Sequence, residues 1–163
     1  MIITGKYYST LTGDENGNNK YTVELKSSIE KAGKLCLENI NNKTFSPIMM
    51  MGNIQSGKTR GFIGLMSLCF DNGFDVTIIL TKCSTALVKQ TVSRMMTEFA
   101  VFRTGNATVG DIVAQDILDI DFRSCDTMGQ KEAVIKKFLK NYKRKKRIIV
   151  VKKQADNVDR LNL

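Results

Sequence analysis

The segment that most constrains the fold runs from Ile48 to Leu80, because its hydrophobic pattern changes repeatedly along the way. It opens with IMMM, a continuous apolar run of the kind that suits a strand buried on both faces. A glycine-bounded octapeptide, Gly52–Thr59, follows. From Gly57 onward, Phe62, Leu65, Met66, Cys69 and Phe70 fall on one side of a helix, and Asp71-Asn72-Gly73 stops it. DVTIIL, Asp75–Leu80, is then β-branched and apolar, as a second central strand requires. Strand, loop, helix and strand in that order predict the α/β class, with a parallel sheet flanked by helices.

The flanking sequence extends this plan. The first twenty residues are polar and carry Gly13, Gly17 and three asparagines, which reads as a loose arm or a turn-rich lead-in. Leu25, Ile29, Ala32, Cys36 and Ile40 recur at helical spacing and predict a helix over Tyr21–Ile40. Pro47, the only proline, biases Ser46 toward extended backbone. A helix is expected over Thr85–Phe99, a short one near 109–118, and another with Val134, Ile135, Phe138, Leu139 and Tyr142 inward. RIIVV, Arg147–Val151, is the third strand. Strands near 47–52, 75–81 and 147–152 then form the parallel core. The expected division is an N-terminal arm and helix over 1–46, and an α/β domain over 47–163.

Gly52-Asn-Ile-Gln-Ser-Gly57-Lys58-Thr59 matches G-x-x-x-x-G-K-[ST]. A loop joining a strand to a helix can turn its backbone N–H groups inward as a nest for phosphate oxygens. Glycine at 52 and 57 permits the close approach that a side chain would block. The helix that follows points its positive end at the same place. Lys58 would reach the β- and γ-phosphates, and the Thr59 hydroxyl would ligate Mg²⁺. Gln55, Ser56 and Arg60 complete the candidate nucleotide contacts, and ATP with Mg²⁺ is the expected ligand pair.

GNIQSGKTRGFIGLMSLCFDNGFDVTIIL resembles the first nucleotide motif of superfamily-2 helicase-type ATPases, in the Q-S-G-K-T form of restriction-associated and other DNA-acting members. The resemblance covers about 50 residues, Pro47 to Met96. It implies an incomplete RecA-like P-loop domain, with the helix before the loop as an N-terminal extension. TKCSTALVKQT, Thr81–Thr91, resembles the next helicase motif, which contacts a nucleic-acid backbone. Thr81, Leu87 and Gln90 fall at the positions the resemblance expects, and Thr81, Lys82 and Gln90 are the nucleic-acid contacts it implies. Leu80 stands where the family usually has proline. The same residues also suit the plain turn and amphipathic helix that any α/β protein needs.

A P-loop ATPase also needs an acid at the end of another buried strand to hold Mg²⁺. RIIVV ends in Lys152-Lys153, and DILDID offers Asp119 and Asp121 after only two apolar residues. The resemblance therefore implies the N-terminal part of a longer ATPase, inactive alone. Two other readings stay open. DTMGQ, Asp126–Gln130, copies a GTPase switch, but no guanine-reading N/T-K-x-D follows a strand. A non-enzymatic nucleic-acid-binding module with a structural P-loop is the other.

The net charge of +9 is concentrated. Residues 131–153 hold eleven Lys or Arg against Glu132 alone, a local +10. Such a block favours a phosphate-rich partner. Lys143, Arg144, Lys145 and Lys146 are its expected nucleic-acid contacts, with DNA preferred to RNA. The chain has no histidine, and its four cysteines, Cys36, Cys69, Cys83 and Cys125, form no Cys-x-x-Cys. That argues against a zinc site and against Ser-His or Cys-His nucleophiles. Isolated thiols, no signal-peptide pattern and no membrane-length apolar run lead to the expectation of a cytoplasmic protein.

Overall fold

The computed structural model describes residues 2–13, 21–43, 46–49, 51, 58–102, 112–116, 127, 129–130, 133–134 and 146–153. Gly52, Gln55, Ser56, Gly57, Asp119, Asp121, Lys143, Arg144 and Lys145 lie outside them, as does most of the helix expected over 131–145. The described chain is mixed α/β and divides into two compact units, 1–74 and 75–163.

The first unit is helical: α1 (Lys6–Thr12), α2 (Val23–Asn41) and α3 (Lys58–Asp71). α2 starts where Thr22 accepts the Leu25 amide at 3.2 Å, with Glu24 in its first turn. α3 ends in a two-bond motif. The Gly73 amide donates to the Phe70 carbonyl and the Phe74 amide to that of Cys69, with Gly73 at φ 92°. Glycine is needed there because a side chain is strained in the left-handed region.

Two glycines set the packing of α2 on α3. A Cβ on Gly64 would stand 2.6 Å from Ile29 Cδ1, and one on Gly33 would stand 2.6 Å from Leu68 Cδ2. Contacts advance together along both helices, 29 with 64 and 33 with 68, so the two run in the same direction. Tyr8, Tyr21, Ile29 and Leu68 form the buried cluster between the helices, with Ile2, Leu25 and Leu65 packed around it.

Three expectations are corrected here. The N-terminus is no loose arm over its described part: residues 6–12 are helical, Tyr8 is buried, and α1 packs on α3. No strand occurs at 46–49 or 51. Met49 and Met51 are 83 % and 88 % exposed, so their apolar side chains gain nothing from sheet burial. On α3, Phe62 is half-exposed while Ile63, Met66, Leu68 and Phe70 are buried. The core face is rotated because Gly64 must meet Ile29 and Tyr21.

The second unit holds β1 (Val76–Thr81), α4 (Thr85–Glu98), a 3₁₀ turn (Phe99–Phe102), β2 (Ile112–Asp116) and β3 (Lys146–Lys152). The sheet order is β1-β3-β2, all parallel. β3 therefore lies between two neighbours, and Ile148, Ile149, Val150 and Val151 are all buried, as a continuous apolar run in a parallel sheet predicts. Ile78 pairs with Ile149, and Ala114 with Ile148. α4 lies against β2 and β3, capped by Ser84 and burying Val88 and Met95. The short helix expected near 109–118 is instead strand β2: a ladder to β3 satisfies its backbone, and tertiary pairing outweighs local preference.

Candidate functional site

The octapeptide motif delivers its last two residues to the head of α3. Lys58 and Thr59 are the first two residues of that helix, and Arg60 the third. Lys58 and Arg60 are exposed and Thr59 is half-buried. The first amides of a helix have no partner within it, and they sit at the positive end of the macrodipole. The first turn carries no acid, so no carboxylate of its own offsets that potential, and two cations add to it. Immediately behind, Gly61, Ile63 and Gly64 are buried, and Gly64 is seated against Ile29 and Tyr21. This packing holds the helix start in place.

The chain leading to the motif is tied to α2 at one point, where Asn39 Nδ2 donates to the Ser46 carbonyl at 2.7 Å. Beside it runs a groove of about 780 Å³ lined by Cys36, Asn39, Ile40, Ser46, Ile48 and Phe74 among others. The groove is mostly apolar.

In the second unit the parallel strands bring their carboxyl ends to one edge, the place where open α/β sheets receive ligands. Thr81 and Lys82 stand there, beside Lys152 and Lys153. The Thr81 hydroxyl lies 3.2 Å from the Lys82 carbonyl and 3.4 Å from that of Val151, and the Lys153 amide donates to the Thr81 carbonyl at 3.0 Å. Thr81 thus shapes the edge, while Lys82 and Lys153 are exposed on it. Gln90 is exposed on the second turn of α4.

Lys146 is elsewhere. It opens β3, and its ammonium lies 2.8 Å from Asp75 Oδ1 at the amino edge. It and Lys152 are the two ends of the seven-residue strand, about 20 Å apart at the usual rise. The structure therefore groups Thr81 and Lys82 with Lys152 and Lys153, and sets Lys146 apart from them. Arg147, next to Lys146, is 3 % exposed and belongs to the interior.

One acid at the carboxyl edge escapes a sequence scan. Asp116 closes β2, paired with Val150 of β3. The scan seeks four apolar residues before an acid, and IVAQD has three and a glutamine. Only the ladder to β3 identifies it as a strand end. Within the GTPase-like DTMGQ segment, Thr127 and Gln130 bond to each other. The Thr127 amide donates to Gln130 Oε1 at 3.0 Å, and the Gln130 amide to Thr127 Oγ1 at 3.3 Å, the reciprocal box that starts a helix.

Among the described residues no helix is long and apolar enough to cross a membrane. Comparison with known protein families, with curated proteins and with solved structures finds no match.

Proposed function

We propose that this chain binds ATP with Mg²⁺ through Gly52–Thr59 and serves in a DNA-acting ATPase of the helicase or restriction type, on a RecA-like plan. The observation that carries the reading is the coincidence of motif and element. The Lys-Thr of G-x-x-x-x-G-K-T falls on the first two residues of a packed 14-residue helix, where a P-loop places them. Lys58 then neutralises the β- and γ-phosphates, and Thr59 takes one Mg²⁺ position. The basic carboxyl edge with Lys82, Lys152 and Lys153 is the phosphate-backbone contact for DNA.

The test is thermal unfolding with and without Mg-ATP. Nucleotide that binds only the folded chain raises Tm, by about 2.7 kcal/mol of stability at a hundredfold excess over Kd. Lys58→Ala should abolish the rise while leaving the ligand-free Tm within experimental scatter, because Lys58 is exposed. Thr59→Ala should make the rise insensitive to Mg²⁺. A wild-type Tm that ignores ATP refutes the reading and favours a nucleic-acid-binding module. A response to GTP but not ATP favours the GTPase alternative.

A further inference from the structure

The helix pair of the first unit carries a chemical group that nucleotide binding does not use. α2 and α3 run in the same direction in close contact, 29 against 64 and 33 against 68. Gly33 and Gly64 let the backbones approach at those points, since a Cβ on either would overlap the facing side chain. One turn beyond Gly33 on α2 is Cys36, and next to Leu68, the residue that fills the Gly33 position, is Cys69 on α3. The two thiols are near enough for each to act on the ionisation of the other. Both are reduced, and both are half-buried. Cys36 also lines the open groove beside α2, so it can be reached from solvent.

We propose that Cys36 and Cys69 are an oxidisable dithiol, which a hydroperoxide converts into a disulfide joining α2 to α3. The Cys36 sulfur, as thiolate, attacks the terminal oxygen of the hydroperoxide. The O–O bond breaks, the departing alkoxide takes up a proton as alcohol, and Cys36 becomes a sulfenic acid. The Cys69 sulfur then attacks the sulfenic sulfur. The S–O bond breaks, and the Cys69 proton leaves with the hydroxide as water. Two thiol hydrogens and two electrons pass to the peroxide. The products are one disulfide, one alcohol and one water.

The order of attack follows from the surroundings. Burial pushes the Cys69 thiol up to about 12, and neighbouring Cys36 adds to this. Burial also raises Cys36, but neighbouring Cys69 works the other way. Cys36 is thus the better first nucleophile and Cys69 the resolving thiol. The first step is slow because little thiolate exists near neutral pH. The second is intramolecular between neighbouring side chains, so it outruns further oxidation. The bridge would close a loop across the loop-to-helix motif, and its entropy stabilises the folded chain.

The full chain is incubated natively with hydrogen peroxide, alkylated, and digested without reductant for peptide mass mapping. A Cys36–Cys69 linked peptide should dominate the cross-linked products, and dithiothreitol should reverse it. Tm should rise by roughly 5–10 °C on oxidation. Cys36→Ser and Cys69→Ser should each abolish the linked peptide and the Tm rise, whereas Cys83→Ser should keep both. If a serine variant fails to fold, the wild-type peptide map alone decides. Recovery of Cys36 and Cys69 as separate thiols or separate sulfinic acids overturns the proposal, as does preferential linkage to Cys83 or Cys125. None of these outcomes depends on whether the chain binds ATP.

Discussion

The carboxylate of Asp71, the last residue of α3, accepts the backbone amide of Tyr8 at 2.8 Å. The same carboxylate accepts the amides of Gly5 and Tyr7, each at 3.0 Å. Helix α1 is only seven residues long, and its own cap, Gly5, offers no side chain to its first turn. Asp71 therefore supplies from another helix the acceptor that an N-cap residue usually supplies locally, and its negative charge meets the positive helix end. Gly5 is required at the contact, because a Cβ there would stand 2.7 Å from Asp71 Oδ1.

Asp71→Ala should accordingly cost about 2 kcal/mol or more, since three charge-assisted bonds go and a short helix loses its start. Asp71→Asn keeps one acceptor oxygen and should lose less. Urea unfolding of the three proteins measures the difference. If Asp71→Ala unfolds at the wild-type midpoint, the cross-helix cap is not stabilising.

The Gly64 contact predicts a size limit. Gly64→Ala adds helix propensity of about 1 kcal/mol and pushes on the movable end of Ile29, so the two effects roughly offset. Gly64→Val adds two more carbons against Ile29 and Tyr21 and should cost at least about 2 kcal/mol. Chemical denaturation of both variants checks the contrast. Equal stability of the two would mean that α2 and α3 are not in close contact there.

The sheet edges predict different salt responses. Reversing charge at Lys152 and Lys153 should weaken DNA binding and lower the slope of log affinity against log salt by about 2. Lys146→Ala should leave that slope nearly unchanged, because its ammonium is committed to Asp75 at the opposite edge. Its cost to stability should be under about 1 kcal/mol, as Asp75 is largely exposed. Fluorescence anisotropy with a labelled duplex over a salt series reads both. A larger slope change for Lys146→Ala would place the contact at the amino edge.

Alkaline pH should destabilise the first unit. Burial, then the Glu30 carboxylate, raises the Tyr8 hydroxyl above its ordinary 10.0. Burial raises Cys69 from 9.0 to about 12. For both groups the unfolded chain gives up its proton first. The native state then holds more protons, so stability is full below pH 9 and falls as pH climbs from there toward 12. Cys69→Ala and Tyr8→Phe should each flatten part of that decline in denaturation curves taken at pH 8 and pH 10.5. A wild-type curve indifferent to pH over this range would contradict the burial of both groups.

Long periodic elements were legible because local pattern and tertiary use agree. Leu25, Ile29 and Ala32 announce α2, and Ile148–Val151 announce β3; Val76–Leu80 announce a strand too, but β1 is an edge of the described sheet with Val76, Ile78 and Leu80 exposed, not the central strand expected. The misses share a cause, which is that a distant partner decides. Nothing within residues 1–12 reveals that Asp71 will cap α1. Nothing within 112–116 reveals that β3 will pair with it. At the candidate site, Lys58 and Thr59 were legible from spacing alone. The grouping of Lys82 with Lys152 and Lys153 was not, because strand register across some seventy residues sets it.

That register also orders events during synthesis. β3 is central in the described sheet but the last of its three strands in sequence, so neither β1 nor β2 meets this parallel neighbour until residues 146–152 have left the ribosome. Until then β1 and β2 present strand edges that lack this partner, which suits capture by a chaperone. Assembly of this half must wait for translation to reach Lys152, whatever the helices before it have already done.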